Sequence, residues 1–534
     1  MLDVLIIGSG GAALSAALKA SDDGAKVAIA TKGELTNSQT VMAQGGINAA
    51  LGNLEDDSIE KHIQDTLKAA KDLADKKMVE QMCSQAPLSI AYLETLGVNF
   101  SRINADAPLK SIAQRKLGGA SSKRACYAQD YTGLKIAHTM IDAILNRDIE
   151  IFTHHFLLNL IVEDGLAKGA IFLDIDSGDI KEIWAKTVVV ATGGFGALYY
   201  NHTTNNHAAS GDGLVAILKG GGAVSNMEFV QFHPTALKSS LVLISESARG
   251  EGGYLINSDG KRFVDELAPR DEVAAAIYKE LQDGKEVYLD LRHLDSAHLQ
   301  KVMPQELNLC KVYEGVDATK ELIPIRPVTH YTMGGVEVDN NLEVDGIKNC
   351  YCAGEASNAK VHGANRLGGN SLLEIVAFGR AAGESAANRA KGVIFKEPDD
   401  IFIKEATKAI EYLLAKDGKS FYSARKELGD IFFEDVGIIR EQKGLNRALE
   451  RVKTMQLEFA DMGIKDRSKV ANGELIEFLE FANMLTLAPV VISMALARQE
   501  SRGAHIRADF PNSDNNFLKS FIFRLRGVNE DNNQ

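Results

Sequence analysis

The stretch "LDVLIIGSGGAALSAALKASDDGAKVAIA", residues 2–30, decides the fold of this chain. Its apolar run at residues 3–7 predicts a buried strand, and a helix that ends near Lys19 follows. A second apolar run at residues 26–30 predicts another strand. The strand–helix–strand unit indicates a parallel sheet, and therefore an α/β protein.

The turn between the first strand and the helix carries a glycine pattern. Gly8, Gly10 and Ala13 give G-x-G-x-x-A, and Gly11 lies in the same turn. The glycines allow a tight turn and a close approach to a pyrophosphate, while the start of the helix supplies positive potential. The pattern predicts a Rossmann-like dinucleotide site, although a purely structural turn remains the alternative.

One part of the dinucleotide pattern is missing. An acidic residue usually follows the second strand and binds a ribose hydroxyl. Here the strand ends in Ala30, Thr31 and Lys32, so Thr31 is the expected, weaker ribose partner. The missing acid argues against a freely exchanging NAD site.

Two further segments have the composition of turns that approach a ligand closely. "TNSQTVMAQGGINAAL", residues 36–51, is either a surface loop or a backbone cradle for a large flat ring. "ASGDGLVAILKGGG", residues 209–222, places Asp212 at the start of a predicted helix. Asp212 therefore either caps that helix or contacts the cofactor.

The composition bounds the class of protein. With 534 residues, of which 45% are hydrophobic and 25% are charged, the chain has the size and balance of a soluble protein with several domains. The net charge of −13 argues against nucleic acid as the main partner. The five cysteines show no zinc or iron–sulfur spacing, so we predict no metal site and a reducing compartment.

The N-terminal segment does not have the pattern of a targeting signal. It has no basic region before its apolar run and no small-residue cleavage site. The apolar run itself is too short to span a membrane, and no longer run stands out elsewhere. We therefore expect no direct insertion into a membrane.

The pattern along the chain predicts an interrupted nucleotide-binding domain. Residues 1–230 and 346–395 carry the strand–turn–helix patterns, whereas residues 231–345 mix helices with short, charged strands. Residues 400–520 are patterned as helices, and residues 521–534 form a tail whose end, "GVNEDNNQ", we expect to be disordered. The middle segment thus reads as an inserted α+β domain, followed by a helical one.

The stretch "HGANRLGGNSLLEIVAFGR", residues 362–380, places a cation before an apolar helix. Either Asn370 or Ser371 can cap this helix, and Ser371 with Glu374 fits a capping box. A capped helix start beside Arg366 suits an anion, although a plain glycine-rich loop is the alternative.

Several charged and polar residues lie in short motifs between residue 229 and residue 366. Each on its own is consistent with a structural role, but together they supply two imidazoles, a hydroxyl and cations without a nucleophile beside a base. Such a set suits the binding of a small dianion, because arginine offers a planar fork to each carboxylate. Its members are His233, Ser245, Glu246, Arg249, Arg270, His330 and Arg366.

These motifs resemble one family. "SQTVMAQGGINAAL", "QFHPTAL", "RGEGGYL", "APRD", "HYTMGG" and "HGANRLGGNSL" occur here in the order found in flavoprotein subunits of fumarate reductase and succinate dehydrogenase. The resemblance extends from residue 3 to about residue 525, and L-aspartate oxidase is a close cousin. It implies a Rossmann-like FAD-binding domain, an inserted mobile capping domain and a C-terminal helical domain.

The resemblance also implies roles for the polar set. One carboxylate of fumarate or succinate is expected to contact Arg366 and His330, and the other His233 and Ser245, where relatives usually carry Thr. Flavin N5 is expected to exchange hydride with one substrate carbon. The proton donor to the other carbon is expected to be Arg270, with Glu246 and Arg249 as its relay to solvent.

The implied FAD contacts are spread over the chain. The helix that starts near Ser371 is expected to direct its positive end at the N1–O2 edge of the flavin. The predicted cofactor-binding residues are Gly8, Gly10, Gly11, Ala13, Thr31, Lys32, Ser38, Gln39, Thr40, Gln44, Gly45, Gly46, Asp212, Glu355, Asn370, Ser371 and Leu372.

Two departures from relatives affect the expected chemistry. Gln39 stands where many relatives bond flavin covalently through histidine, so we expect noncovalent FAD and a bias towards fumarate reduction. Leu117 stands where aspartate oxidases tend to carry Glu, and it cannot pair with a substrate ammonium. Aspartate oxidase is therefore the second hypothesis, and a flavin-binding electron-relay subunit without substrate turnover is the third.

The resemblance finally implies partners. Besides a C4 dicarboxylate substrate, we expect an iron–sulfur subunit that exchanges electrons with the flavin, together with a membrane anchor subunit. The chain would then be cytoplasmic and peripheral, held on the cytoplasmic face of the membrane through those subunits.

Overall fold

The computed structural model describes residues 1–103 and 111–525. Within these residues the α-helices are α1 Gly11–Asp22, α2 Ile59–Ala69, α3 Lys76–Leu96, α4 Thr132–Leu145, α5 Asp212–Lys219, α6 Glu246–Gly250, α7 Arg270–Gln282, α8 Ser296–Val302, α9 Pro304–Tyr313, α10 Asn370–Ala390, α11 Ile401–Ala415, α12 Tyr422–Asp435, α13 Gln442–Glu458 and α14 Gly473–Ala497. The strands are β1 Leu2–Ile7, β2 Val27–Ala30, β3 Ile47–Asn48, β4 Gln114–Arg115, β5 Ala125–Cys126, β6 Ile149–Phe152, β7 His155–Glu163, β8 Leu166–Asp174, β9 Ile180–Val190, β10 Ala223–Ser225, β11 Val230–Leu237, β12 Tyr254–Asn257, β13 Val287–Asp290, β14 Ile323–Thr332, β15 Gly335–Glu337, β16 Cys350–Cys352, β17 Ser357–Asn358, β18 Ile439–Arg440, β19 Ile506–Arg507 and β20 Ile522–Arg524.

The first sheet contains the predicted strand–helix–strand unit. Its strand order is β6-β2-β1-β9-β8-β7, and β16 also pairs with β9. Strand β1 pairs in parallel with both β2 and β9, and it is buried. Strands β7, β8 and β9 form the antiparallel layer that the alternation predicted. The α/β fold is therefore confirmed.

Helix α10 packs tightly against α1. A Cβ atom at Gly383 would lie 2.2 Å from the carbonyl oxygen of Ala16, and one at Gly379 would lie 2.7 Å from that of Ala12. Only glycine allows the two backbones to approach so closely. This packing sets the first turn of α10 beside the glycine turn that starts α1.

A second sheet lies in the segment predicted to be inserted. Strands β11, β14, β13 and β12 pair in that order, and all of the pairs are antiparallel. Helices α7, α8 and α9 cover this sheet, and a separate hydrophobic cluster runs from Leu237 to Ile325. The segment thus has a core of its own.

The C-terminal region is helical, as the pattern predicted. Its longest helix, α14, is long and apolar enough to cross a membrane, whereas the sequence predicted no run of that length. However, 67% of its most apolar window is buried inside the protein, where Phe478 packs against Phe421 and Phe459. Helix α14 is therefore the core helix of this region. The end of the tail, residues 526–534, lies outside the described residues.

Candidate active site

A cavity of about 1210 Å³ lies where the carboxyl ends of the parallel strands face the second sheet. Ligands of open α/β sheets bind at this edge. All of the predicted site residues line the cavity, apart from Ala13, Arg249 and Asn370. The structure thus brings together residues from segments that are several hundred positions apart.

The glycine turn forms one end of the cavity. Gly8 has a φ of +128°, and a Cβ atom there would lie 2.2 Å from the carbonyl oxygen of Ala191, so the position requires glycine. The backbone N–H of Gly11 donates to Thr40 Oγ1 over 2.9 Å. Ala13 is buried within the first turn of α1 and does not line the cavity.

Lys32 is paired with acids near this end of the cavity. Its Nζ lies 2.7 Å from Asp212 Oδ2 and 2.8 Å from Glu480 Oε1. Burial disfavours the charge of Lys32, but these two carboxylates outweigh it and raise the lysine pKa. Gly211 is the N-cap of α5, so Asp212 does not cap that helix. Glu480 lies on α14, and no motif in the sequence connected it with this cavity.

Buried polar atoms without a hydrogen-bond partner indicate which kind of ligand fits this part of the cavity. Ser38 Oγ, Gln39 Nε2, Gln44 Oε1 and Thr192 Oγ1 are buried without a hydrogen-bond partner in the protein, and all four residues line the cavity. Buried polar groups are nearly always hydrogen-bonded. Together with the glycine turn, these atoms fit a large polar ligand such as FAD.

The start of α10 corrects one prediction. Its N-cap is Gly369 with a φ of +85°, and neither Asn370 nor Ser371 caps it, so there is no capping box. Glu374 Oε2 instead accepts from Tyr331 Oη over 2.9 Å. Gly369 and Ser371 nevertheless line the cavity, so the positive end of the helix does face it.

The side-chain amide of Asn370 makes its hydrogen bonds with residues outside the cavity. Its Oδ1 lies 2.9 Å from His62 Nε2, and its Nδ2 donates to Thr66 Oγ1 over 2.9 Å. Asn48 Nδ2 also donates to Asn370 Oδ1 over 2.8 Å. Asn370 does not line the cavity, and its side-chain amide holds α10 against α2.

Two imidazoles meet at the boundary with the second sheet. His233 on β11 and His330 on β14 have ring centroids 4.9 Å apart. Burial, reinforced by nearby arginines, lowers the pKa of each ring well below its usual value. His233 Nδ1 accepts from the Thr235 N–H over 3.2 Å, so the neutral ring carries its proton on Nε2. Both imidazoles are therefore neutral and can donate a hydrogen bond.

Arg270, the first residue of α7, binds a buried carboxylate. Its Nε and Nη2 donate to Glu246 Oε2 over 2.9 and 2.7 Å. Glu246 Oε1 accepts from the Gly118 N–H over 2.8 Å and lies 3.7 Å from Arg249 Nη2. Burial disfavours ionised Glu246, but the two arginines outweigh it and lower its pKa. Arg270, Glu246 and Arg249 thus form a chain of contacts that leads away from the cavity.

Arg366 lies over the ring of Tyr331, with its guanidinium carbon 4.1 Å from the ring centroid. Its Nη2 donates to Gln231 Oε1 over 3.0 Å. Burial and the charge of Arg270 lower the pKa of Arg366 to about 10, so it stays cationic at neutral pH. A second cation therefore faces the same cavity as Arg270.

Ser245 contacts groups that the sequence did not connect with it. Its hydroxyl is hydrogen-bonded to the hydroxyl of Ser247, and its N–H donates to Glu306 Oε1 over 3.1 Å. Glu306 N–H in turn donates to Asp130 Oδ2 over 2.9 Å. Burial raises the pKa of Glu306 to about 7.

We expect Glu306→Gln to change how stability depends on pH. The folded-state pKa is raised from 4.5 to about 7, so the folded chain binds more protons than the unfolded chain between these values. Stability then falls by about 3 kcal/mol as pH rises through this window, and Gln removes that loss. The melting temperature of the variant should exceed that of the wild type at pH 8 by more than at pH 5. An equal difference at both values, or the same change in the exposed control Glu321→Gln, would contradict the assignment.

Sequence comparison gives the family of the chain. Residues 3–372 match the model of an FAD binding domain, and residues 425–533 match that of the fumarate reductase flavoprotein C-term. The succinate dehydrogenase flavoprotein subunit of Rickettsia bellii is 36% identical over 99% of this chain and 93% of its own length. The fumarate reductase flavoprotein subunit of Escherichia coli is 37% identical over 97% of this chain and 90% of its own length.

Structural comparison agrees. A quinol fumarate reductase chain of E. coli superposes with a TM-score of 0.91 and 36% sequence identity, over 98% of this chain and 94% of that one. The fold, the cavity and the order of the motifs all lead to the same family. This chain belongs to the FAD-dependent flavoprotein subunits of succinate dehydrogenase and fumarate reductase.

Proposed function

We propose that the chain interconverts fumarate and succinate and works more readily as a fumarate reductase. The observation that carries this proposal is the position of Arg270, Arg366, His233 and His330, which line the same cavity as the glycine turn for the dinucleotide. Two cations and two neutral donors in one buried cavity match a small dicarboxylate.

The side chains have separate roles in this proposal. Arg366 and His330 hold one carboxylate, while His233 and Ser245 hold the other. FAD, when bound, supplies the two-electron chemistry by exchanging hydride at N5. Arg270 gives a proton to the substrate carbon, and a proton from solvent replaces it through Arg249 and Glu246, because a deprotonated guanidine is too basic to persist.

Arg270 belongs to the segment 231–345, which we propose moves as a cap. It reaches the cavity from α7, whereas Arg366 comes from the loop before α10. Closure of the cap would exclude water and bring the proton donor into line with the substrate carbon. The proton donor is then in place only when the cavity is closed.

The FAD should be held without a covalent bond. Gln39 offers no ring nitrogen for a flavin linkage, and its buried Nε2 still lacks a partner in the protein. Acid precipitation should release the yellow colour into the supernatant. Colour in the pellet, or a fluorescent protein band on a denaturing gel, would contradict this expectation.

A steady-state assay separates this function from aspartate oxidation. Leu117 is buried and lines the cavity, where an unpaired substrate ammonium would be costly. We expect fumarate to oxidise reduced viologen in the presence of the holoprotein, and aspartate to yield no peroxide. Aspartate-dependent peroxide without fumarate reduction would reverse the assignment.

The proposed partners follow from the relatives, which are named as subunits. We propose that an iron–sulfur subunit exchanges electrons with the flavin and that an anchor subunit holds the complex at the cytoplasmic face of the membrane. Purification of the native complex from membranes tests this, and the co-eluting subunits should include an iron–sulfur protein.

A further inference from the structure

Gln231 joins the two arginines of the cavity. Its Oε1 accepts from Arg270 Nη1 over 3.2 Å and from Arg366 Nη2 over 3.0 Å. One neutral oxygen atom thus lies between two cations that come from different elements, α7 and the loop before α10.

The other half of the amide is also occupied. Gln231 Nε2 donates to the carbonyl oxygen of Arg366 over 2.9 Å and to Asn365 Oδ1 over 2.8 Å. A guanidinium has only donors and a carbonyl has only acceptors, so the amide fits in this orientation alone. With all four of its hydrogen bonds made, the fully buried side chain is held rigidly.

The contacts close into a ring between the two parts of the protein. Asn365 Nδ2 donates to Asp271 Oδ1 over 3.0 Å, and Asp271 follows Arg270 on α7. Arg270, Gln231, Asn365 and Asp271 therefore join the start of α7 to the loop that carries Arg366. This ring fixes the position of one arginine relative to the other.

Gln231 carries no charge, and this affects which ligands the cavity can bind. A carboxylate at this position would satisfy the same guanidinium N–H groups, but it would also neutralise the positive field. An amide oxygen satisfies them without adding a second carboxylate to the one that Glu246 already places on Arg270, so the pair of arginines keeps a net positive charge for the ligand.

We propose that Gln231 is a positioning and specificity residue, which sets the spacing of Arg270 and Arg366 and, being neutral, keeps the site positive enough for a dianion although Glu246 already pairs with Arg270. This inference rests on the proposed function, since it assumes that both arginines face the substrate. It predicts that affinity for dicarboxylates depends on the charge at residue 231 more than on its shape.

The test compares Gln231→Glu with Gln231→Met, which has a similar size and no charge. Binding of succinate or malonate is measured by its effect on the visible flavin spectrum, and fumarate reduction is followed with reduced viologen. We expect the dicarboxylate dissociation constant and KM to rise at least about tenfold in the Glu variant, because its negative charge lies against the two arginines that face the ligand. They should rise less in the Met variant, whereas kcat should fall in the Met variant because Met accepts a hydrogen bond from neither arginine and their spacing is no longer fixed.

Controls separate the possible failures. Gln305→Glu adds the same charge to the cavity wall from α9 and should raise the dissociation constant much less. FAD content and melting temperature are measured for each variant, and dissociation constants are compared among FAD-loaded samples. If the wild type binds no dicarboxylate, the proposed function and this inference both fail. If the wild type binds and the Glu variant binds equally tightly, or if Met weakens binding as much as Glu, only this inference is overturned.

Discussion

Replacement of Arg270 by Gln should reduce fumarate reduction by about 10³-fold, whereas dicarboxylate binding should weaken by about tenfold, because one of the two cations that face the ligand is lost. Positioned proton transfer contributes about 10² to 10⁴ in rate, and Gln cannot donate to carbon. The proposed carboxylate contacts from His233 and Arg366 remain in this variant. The loss should therefore appear in kcat much more than in KM.

The measurement is steady-state fumarate reduction by reduced viologen with FAD-loaded protein. Arg262→Gln is the matched control, because Arg262 is also in the inserted segment but binds Glu266 with its side chain 53% exposed. The control should keep the wild-type rate. An Arg270→Gln protein with a tenth or more of the wild-type kcat would show that another group donates the proton.

Replacement of Arg366 by Gln should weaken dicarboxylate binding by about 10²-fold or more. Truncating one partner of a buried, hydrogen-bonded charge pair costs about 2–5 kcal/mol. Arg366 is 4% exposed and lies over Tyr331, so water cannot easily take its place. Both KM and the dissociation constant should rise, since the contact exists before and during the reaction.

The measurement is a titration of the flavin spectrum with succinate or malonate. Arg380→Gln is a suitable control, because Arg380 lies further along α10 and stacks on Tyr92, 3.7 Å from the ring centroid. It should bind both ligands like the wild type. An Arg366→Gln protein whose dissociation constants stay within threefold of the wild type would place the dicarboxylate elsewhere.

The parts of the fold that the sequence predicted correctly depend on local patterns. The apolar runs at residues 3–7 and 26–30 lie close together, and the turn after the first run requires glycine at Gly8, which has a positive φ. Hydrophobic periodicity and turn chemistry of this type act within a few residues, so they can be read from sequence alone.

The parts that were missed depend on contacts between distant residues. Lys32 and Glu480 are separated by 448 positions, and Gln231 and Arg366 by 135. The capping box at Ser371 failed for the same reason, since Glu374 reaches Tyr331 instead of the helix start. A buried polar network specifies its own partners, and no local pattern reveals them.

The central claim is that the cavity of this chain lets a bound flavin exchange two electrons with a four-carbon dicarboxylate. An anaerobic single turnover tests it most directly: the FAD-loaded protein is reduced, mixed with fumarate, and followed by its visible flavin absorbance. The account predicts rapid recovery of the oxidised spectrum, with one succinate formed per FAD. A spectrum that stays reduced in the presence of fumarate, or that recovers without succinate, would contradict it.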